Sequence, residues 1–176
     1  MIEISMSTPE YDWEEEKRAR DENTKTYNEL WVKAGFGGTR TGWTHGLLKD
    51  RLQTWEYYFL LASMFGGVSD NGGLVHGLHC YFDDADCVDV DPPAIDLLDC
   101  WKAIGCLDMI KAYEVGRSEL MRRGVQRYDE LSFEQEQEVE EALYKALEEF
   151  GKVNLYDVRL AAYAAKNKSG ESSSEE

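Results

Sequence analysis

The chain has 176 residues, 43% of them hydrophobic, and carries 35 Asp and Glu against 19 Lys and Arg, for a net charge of −16. That balance disfavours direct nucleic-acid binding, which needs clustered Lys and Arg to meet phosphates, and no run approaches the ~20 apolar residues of a membrane span. Five Trp, ten Tyr and six Phe are too many for a disordered acidic chain; a chain of this length buries roughly 70% of its unfolded surface in one core.

Thr8-Pro9-Glu10 places a cap residue before a proline at the first helical position, and Trp13, Tyr27, Leu30 and Trp31 recur among polar residues, which predicts one or two helices up to Ala34. Gly35-Phe36-Gly37-Gly38 opens a loop through Gly42. From Thr44 to Phe65, Leu47, Leu48, Leu52, Trp55, Tyr58, Phe59 and Ala62 follow helical spacing, with Gly66-Gly67 as the expected stop. Asn71-Gly72-Gly73 then predicts a tight turn into a short helix bearing Leu74, Val75, Leu78 and Phe82. Asp91-Pro92-Pro93 is a helix-start signature, and Ile95, Leu98, Trp101 and Ile104 form the predicted inward stripe before Gly105, with Asp96 and Asp99 outward. A further helix is expected from about Leu107 to Arg123, stopped by Gly124.

Ser132-Phe133-Glu134-Gln135 is a capping box, and Val139, Ala142, Leu143, Ala146, Leu147 and Phe150 trace one apolar face. Glu134, Glu138 and Glu141 form the opposite face, flanked by Glu136 and Glu140. Asn154-Leu155-Tyr156-Asp157 opens a last helix through Ala165. No alternating strand pattern occurs, so the fold class is all-α: a single compact multi-helix domain with an acidic surface. Its organisation is expected as an N-terminal helical extension and loop (1–43), an all-helical domain (44–166) and a disordered acidic, Ser-rich tail (167–176). Trp55, Phe59, Leu74, Phe82, Ile95, Trp101, Leu143 and Leu147 are the expected core.

Between Arg51 and Lys102 there is no lysine or arginine, yet the stretch holds Glu56, Asp70, Asp83, Asp84, Asp86, Asp89, Asp91, Asp96 and Asp99. A surface so one-signed repels itself, which sets plain solubility against a reading in which the field itself is the working part. Duplex DNA carries about one charge per 1.7 Å of axis, so sixteen charges correspond to roughly 27 Å, or about eight base pairs. Carboxylates at i and i+4 on a helix lie about 6 Å apart, near the spacing of successive phosphates on a strand. Taken alone, the Glu134, Glu138 and Glu141 row is an ordinary solvated helix face; the Asp83 to Asp99 cluster is what shifts the balance.

The long aromatic-rich helix, Asn71-Gly72-Gly73-Leu74, the pair Tyr81-Phe82, a capped helix ending Ala103-Ile104-Gly105 and a late acidic helix follow in an order that resembles one family. This is the group of small acidic bacterial proteins typified by DNA mimic protein nineteen, most of them without an assigned function, and the resemblance covers roughly Trp55 to Asn167. It implies an all-helical, dimeric domain whose carboxylates imitate DNA phosphates and occupy the DNA-binding face of a regulator. The residues expected to meet such a partner are Asp83, Asp84, Asp86, Asp89, Asp91, Asp96, Asp99, Glu134, Glu136, Glu138, Glu140 and Glu141. The chain departs from the family after Asn71-Gly72-Gly73, where Val75-His76-Gly77-Leu78-His79-Cys80 replaces further aromatics, and its first fifty residues look like an addition.

Other sites are weaker. Asp84 to Asp91 is rich in oxygen ligands, but lacks the glycine at the sixth position of a calcium loop and the glutamate at the twelfth. His76, His79, Cys80 and Cys87 match no standard zinc spacing, and Cys80 reads equally as a small core residue. There is no Gly-x-Ser-x-Gly elbow, no phosphate-binding Gly-Lys-Ser/Thr loop and no His-Glu-x-x-His; a Cys80 and His45 pair is the residual catalytic candidate. No enzyme, metal or cofactor is expected. Met1-Ile2-Glu3 lacks a basic stretch followed by an apolar one, and the four cysteines have no Cys-x-x-Cys spacing, so a cytosolic protein with reduced thiols is expected. The leading expectation is an inhibitor that occupies a basic nucleic-acid-binding protein, whether a transcription regulator or a restriction, repair or CRISPR factor. An immunity-type or scaffold protein that binds a basic partner without imitating a duplex is the alternative.

Overall fold

Phe59, Leu60, Leu61 and Ala62 are consecutive and all wholly buried. Successive helical side chains point about 100° apart, so four in a row are hidden only on a helix enclosed by others. The computed structural model describes residues 12–37, 41–83, 94–149 and 156–171, and among these it shows α1 (Trp13–Lys33), α2 (His45–Arg51), α3 (Thr54–Phe82), α4 (Ala94–Ile104), α5 (Leu107–Arg123), α6 (Phe133–Glu149) and α7 (Tyr156–Glu171), a 3-10 turn at Tyr128–Glu130, and no strand. The enclosed helix is α3, against which α1, α2, α4, α6 and α7 all pack. No helix among the described residues is long and apolar enough to cross a membrane.

The predicted stop at Gly66-Gly67 is not where α3 breaks. The helix runs through both glycines and bends at Gly73, whose φ of 88° and ψ of 170° are non-helical. A helical glycine costs only about 1 kcal/mol, less than the burial of Phe59 to Ala62 and Phe65 before the pair and of Leu74, Val75 and Leu78 after it contributes. Gly66 lies against the Tyr156 ring, 3.4 Å from where a Cβ would stand. The break predicted between Thr44 and Trp55 was none, yet the chain is extended at Leu52 and Gln53. A capping box then starts α3: the Glu56 side chain accepts from the Gln53 N–H at 3.0 Å.

Trp101, fully buried on α4, meets the Phe65 ring edge-on at 5.0 Å, and its indole N–H donates to the Tyr156 hydroxyl at 3.4 Å. That hydroxyl donates in turn to the Ala62 carbonyl at 2.9 Å, joining α3, α4 and α7 at the centre. Of the expected core, Trp55, Phe59, Leu74, Trp101, Leu143 and Leu147 are buried, Phe82 is half-buried against Tyr113, and Ile95 lies outside the described side chains. The inward stripe of α4 is Leu97, Cys100, Trp101 and Ile104, with Leu98 at its edge.

Trp13 is exposed rather than part of a core face, and Asp12 caps α1 by accepting from the Glu14 and Glu15 N–H groups; Thr8-Pro9 lies outside the described residues. The inner face of α1 belongs to the common core through Leu30, Trp31 and Ala34, and α1 runs alongside α7. α7 extends to Glu171, beyond the predicted end, because Lys168 reaches Thr26 Oγ1 at 3.0 Å and Glu29 at 3.2 Å. Cys80, Cys100 and Cys106 are buried free thiols.

Candidate functional site

The late acidic helix is built as its sequence predicts. Ser132 Oγ accepts from the Gln135 N–H and Gln135 Oε1 from the Ser132 N–H, which starts α6 in register. Val139, Leu143, Ala146 and Leu147 are then buried, while Glu134, Glu138 and Glu141 are exposed on the opposite side. Glu138 receives Arg123 of α5 at 2.8 Å and is still 66% exposed, so its charge is partly offset without being hidden. Glu136 is half-exposed. Phe133, 69% exposed, and Tyr144 stand beside this row. Eleven residues is close to three full turns, so both rings lie on the same edge of α6. Sequence reasoning passed over them, although an aromatic on the polar side of a periodic helix was the available signal.

The other carboxylates divide sharply. Asp84, Asp86, Asp89 and Asp91 lie outside the described residues. Asp99 is exposed and paired with Lys102, while Asp96 is half-buried and binds Lys49 Nζ at 2.9 Å and the Tyr57 hydroxyl at 3.1 Å. Two expected partner-binding residues prove to be structural. The Glu140 carboxylate accepts from the Leu74 N–H at 2.7 Å and the Val75 N–H at 2.6 Å, filling the donors that the Gly73 break leaves at the start of the second half of α3. Asp83, expected at the surface, has a side chain only 1% exposed. It accepts from the Tyr128 N–H and faces His79 Nδ1 at 3.2 Å. Burial pushes the Asp83 carboxyl above its ordinary range, against the opposing pull of the hydrogen bonds from His79 and Tyr128.

His79, Asp83 and Asp129 place one potential ligand atom each within 4.8 Å of one another, a grouping that spacing could not show because Asp129 comes from the 3-10 turn. Asp129 is already held by Arg127 at 2.5 Å. The candidate pair Cys80 and His45 is not formed. Cys80 Sγ lies 3.8 Å from His76 Nε2, whereas His45 is buried beside Tyr57 and Trp43.

A groove of about 1220 Å³ is lined by residues of α1, α3, α5, α6 and α7. Its walls include Trp31, Tyr27 and Tyr156 as well as the buried polar side chains Glu16 and Asn23. No family model, curated protein or solved structure matches the chain.

Proposed function

We propose that this protein binds and blocks a basic nucleic-acid-binding protein, a transcription regulator or a restriction, repair or CRISPR factor, by presenting carboxylates where the partner expects phosphates. The observation that carries the reading is the row Glu134, Glu138 and Glu141, exposed along one side of a helix whose other side is locked into the core. Residues on such a row lie about 6 Å apart, and the packed face beneath them keeps the spacing fixed when a partner docks. The excess of sixteen negative charges supplies the long-range field that steers a cationic partner to the row.

The exposure of Phe133 and Tyr144 next to the carboxylates favours a second reading, an immunity-type or scaffold protein that grips a basic partner through a compact patch with aromatic anchors. Both readings are tested by affinity capture from the producing cells with wild-type protein and with Glu134, Glu138 and Glu141 changed to Lys. The mimic reading expects a DNA-binding partner that duplex DNA displaces and that the triple variant no longer captures. A partner that holds DNA and this protein together, and is lost on Phe133→Ala instead, selects the second reading.

A further inference from the structure

A carboxylate taken out of water needs donors or a cation to offset its charge, so one buried with a bare oxygen is short of a partner. The Asp83 side chain is 1% exposed, and the Tyr128 N–H and His79 Nδ1 both reach its Oδ2. Its Oδ1 has no hydrogen-bond partner. His79 and Asp129 join it in a cluster where one ligand atom from each residue lies within 4.8 Å of the others. The three residues come from two places in the chain, the C-terminal end of α3 and the 3-10 turn between α5 and α6.

The donor chemistry selects the ion. One imidazole with two carboxylates suits zinc, whereas calcium and magnesium take oxygen ligands and in larger number. His79 Nδ1 and Asp83 Oδ2 are 3.2 Å apart, close to the ~3.3 Å edge of a tetrahedron whose metal bonds are about 2.0–2.1 Å long. The side chains of His79 and Asp129 are 22% and 40% exposed, so an ion enters from their side and meets Asp83 at Oδ2. Arg127 holds Asp129 through Nε at 2.9 Å and Nη2 at 2.5 Å without exhausting it, because each carboxylate oxygen keeps a second lone pair. Metal-binding carboxylates are commonly fixed by such outer hydrogen bonds, and the Tyr128 N–H orients Asp83 in the same way. We infer that His79, Asp83 and Asp129 form a three-ligand zinc site, with water in the fourth position, that ties the end of α3 to the turn between α5 and α6. The site shares no residue with the α6 carboxylates and does not depend on their role.

The test is equilibrium dialysis of the untagged full-length protein against zinc at physiological ionic strength. Bound metal is measured for wild type, Asp129→Asn, His79→Gln and two controls, His76→Gln and Glu134→Gln/Glu141→Gln. One zinc per chain is expected, with affinity weakened at least tenfold by Asp129→Asn or His79→Gln and changed less than twofold by either control. Asp129 is exposed and its Asn variant still accepts from Arg127, so it keeps the test open should His79→Gln fail to fold. Of the three histidines, His79 alone should show shifted ring nitrogens by NMR when zinc is added, and zinc should raise the Tm of wild type but not of Asp129→Asn. The inference is overturned if zinc does not bind at one per chain or if calcium or magnesium binds as tightly. It is equally overturned if a control loses binding while Asp129→Asn keeps it, or if the ring that shifts is His76 or His45.

Discussion

Glu140→Ala should destabilise the fold severely although the residue belongs to the most acidic helix of the chain. Its carboxylate accepts two backbone N–H groups, from Leu74 and Val75, at 2.7 and 2.6 Å. Hydrogen bonds to a charged group contribute about 1.5–3 kcal/mol each. An anion at a helix start contributes roughly 0.3–1 kcal/mol more. Glu140 is only half-buried, so water partly replaces the lost acceptor, and the expected loss is at the low end of that range, about 3–4 kcal/mol, or ~6–16 °C in Tm for a chain of this size. Glu140→Gln keeps a single amide oxygen and should lose about half as much. Glu141→Gln, one residue along and exposed, should change stability by less than about 0.5 kcal/mol. Urea unfolding followed by tryptophan fluorescence measures all three. A Glu140→Ala variant as stable as Glu141→Gln would refute the assignment of Glu140 as the clamp on α3.

Gly73→Ala should cost at least as much as Glu140→Ala, because φ is 88° and a Cβ would stand 2.8 Å from Glu140 Oε1; the double variant should be distinctly less destabilised than the sum, as a double-mutant cycle will show. Asp83 has a folded-state pKa raised above its unfolded value by burial, so the native state binds the extra proton and stability falls as pH rises through that raised pKa. The stability of wild type relative to Asp83→Asn should therefore be greatest at acid pH and shrink toward neutrality in urea titrations at pH 4 to 7; a difference independent of pH contradicts this. Glu119, whose pKa is lowered by Arg122 and Arg123, works in the opposite sense. Its contribution is present above the ordinary glutamate range and lost as pH falls through the lowered value, so Glu119→Gln should flatten the acid limb of the stability profile.

Local signals with a strong physical basis were legible. The Ser132 capping box, the periodic apolar face of α6 and the glycine at Gly124, left-handed with φ of 73°, mark element ends as the structure has them. Gly66-Gly67 misled because a glycine pair is a stop only where propensity decides, and enclosed α3 is held by packing. The role of each carboxylate was harder, since an acid that caps a neighbouring helix and an acid in water are the same letter. Glu140 did carry a signal: it lies three and seven residues before Leu143 and Leu147, on their buried side of the helix. Asp83 stands one turn after His79, the spacing of a helix-face pair, but its other partner, the Tyr128 N–H, comes from 45 residues away. The groove was invisible for the same reason, being assembled from α1, α3, α5, α6 and α7.

The most direct test of the proposed role is a competition titration on the captured partner. Labelled duplex DNA is bound to it and displaced with wild-type protein, then with the Glu134, Glu138 and Glu141 to Lys variant, at one fixed ionic strength, because the attraction is screened over about 8–10 Å near physiological salt. The account predicts complete displacement of DNA by wild type, a steep loss of potency as salt is raised, and at least a tenfold weaker effect of the variant with its helical spectrum intact. Displacement equal for wild type and variant, or a stable ternary complex with DNA, would contradict it.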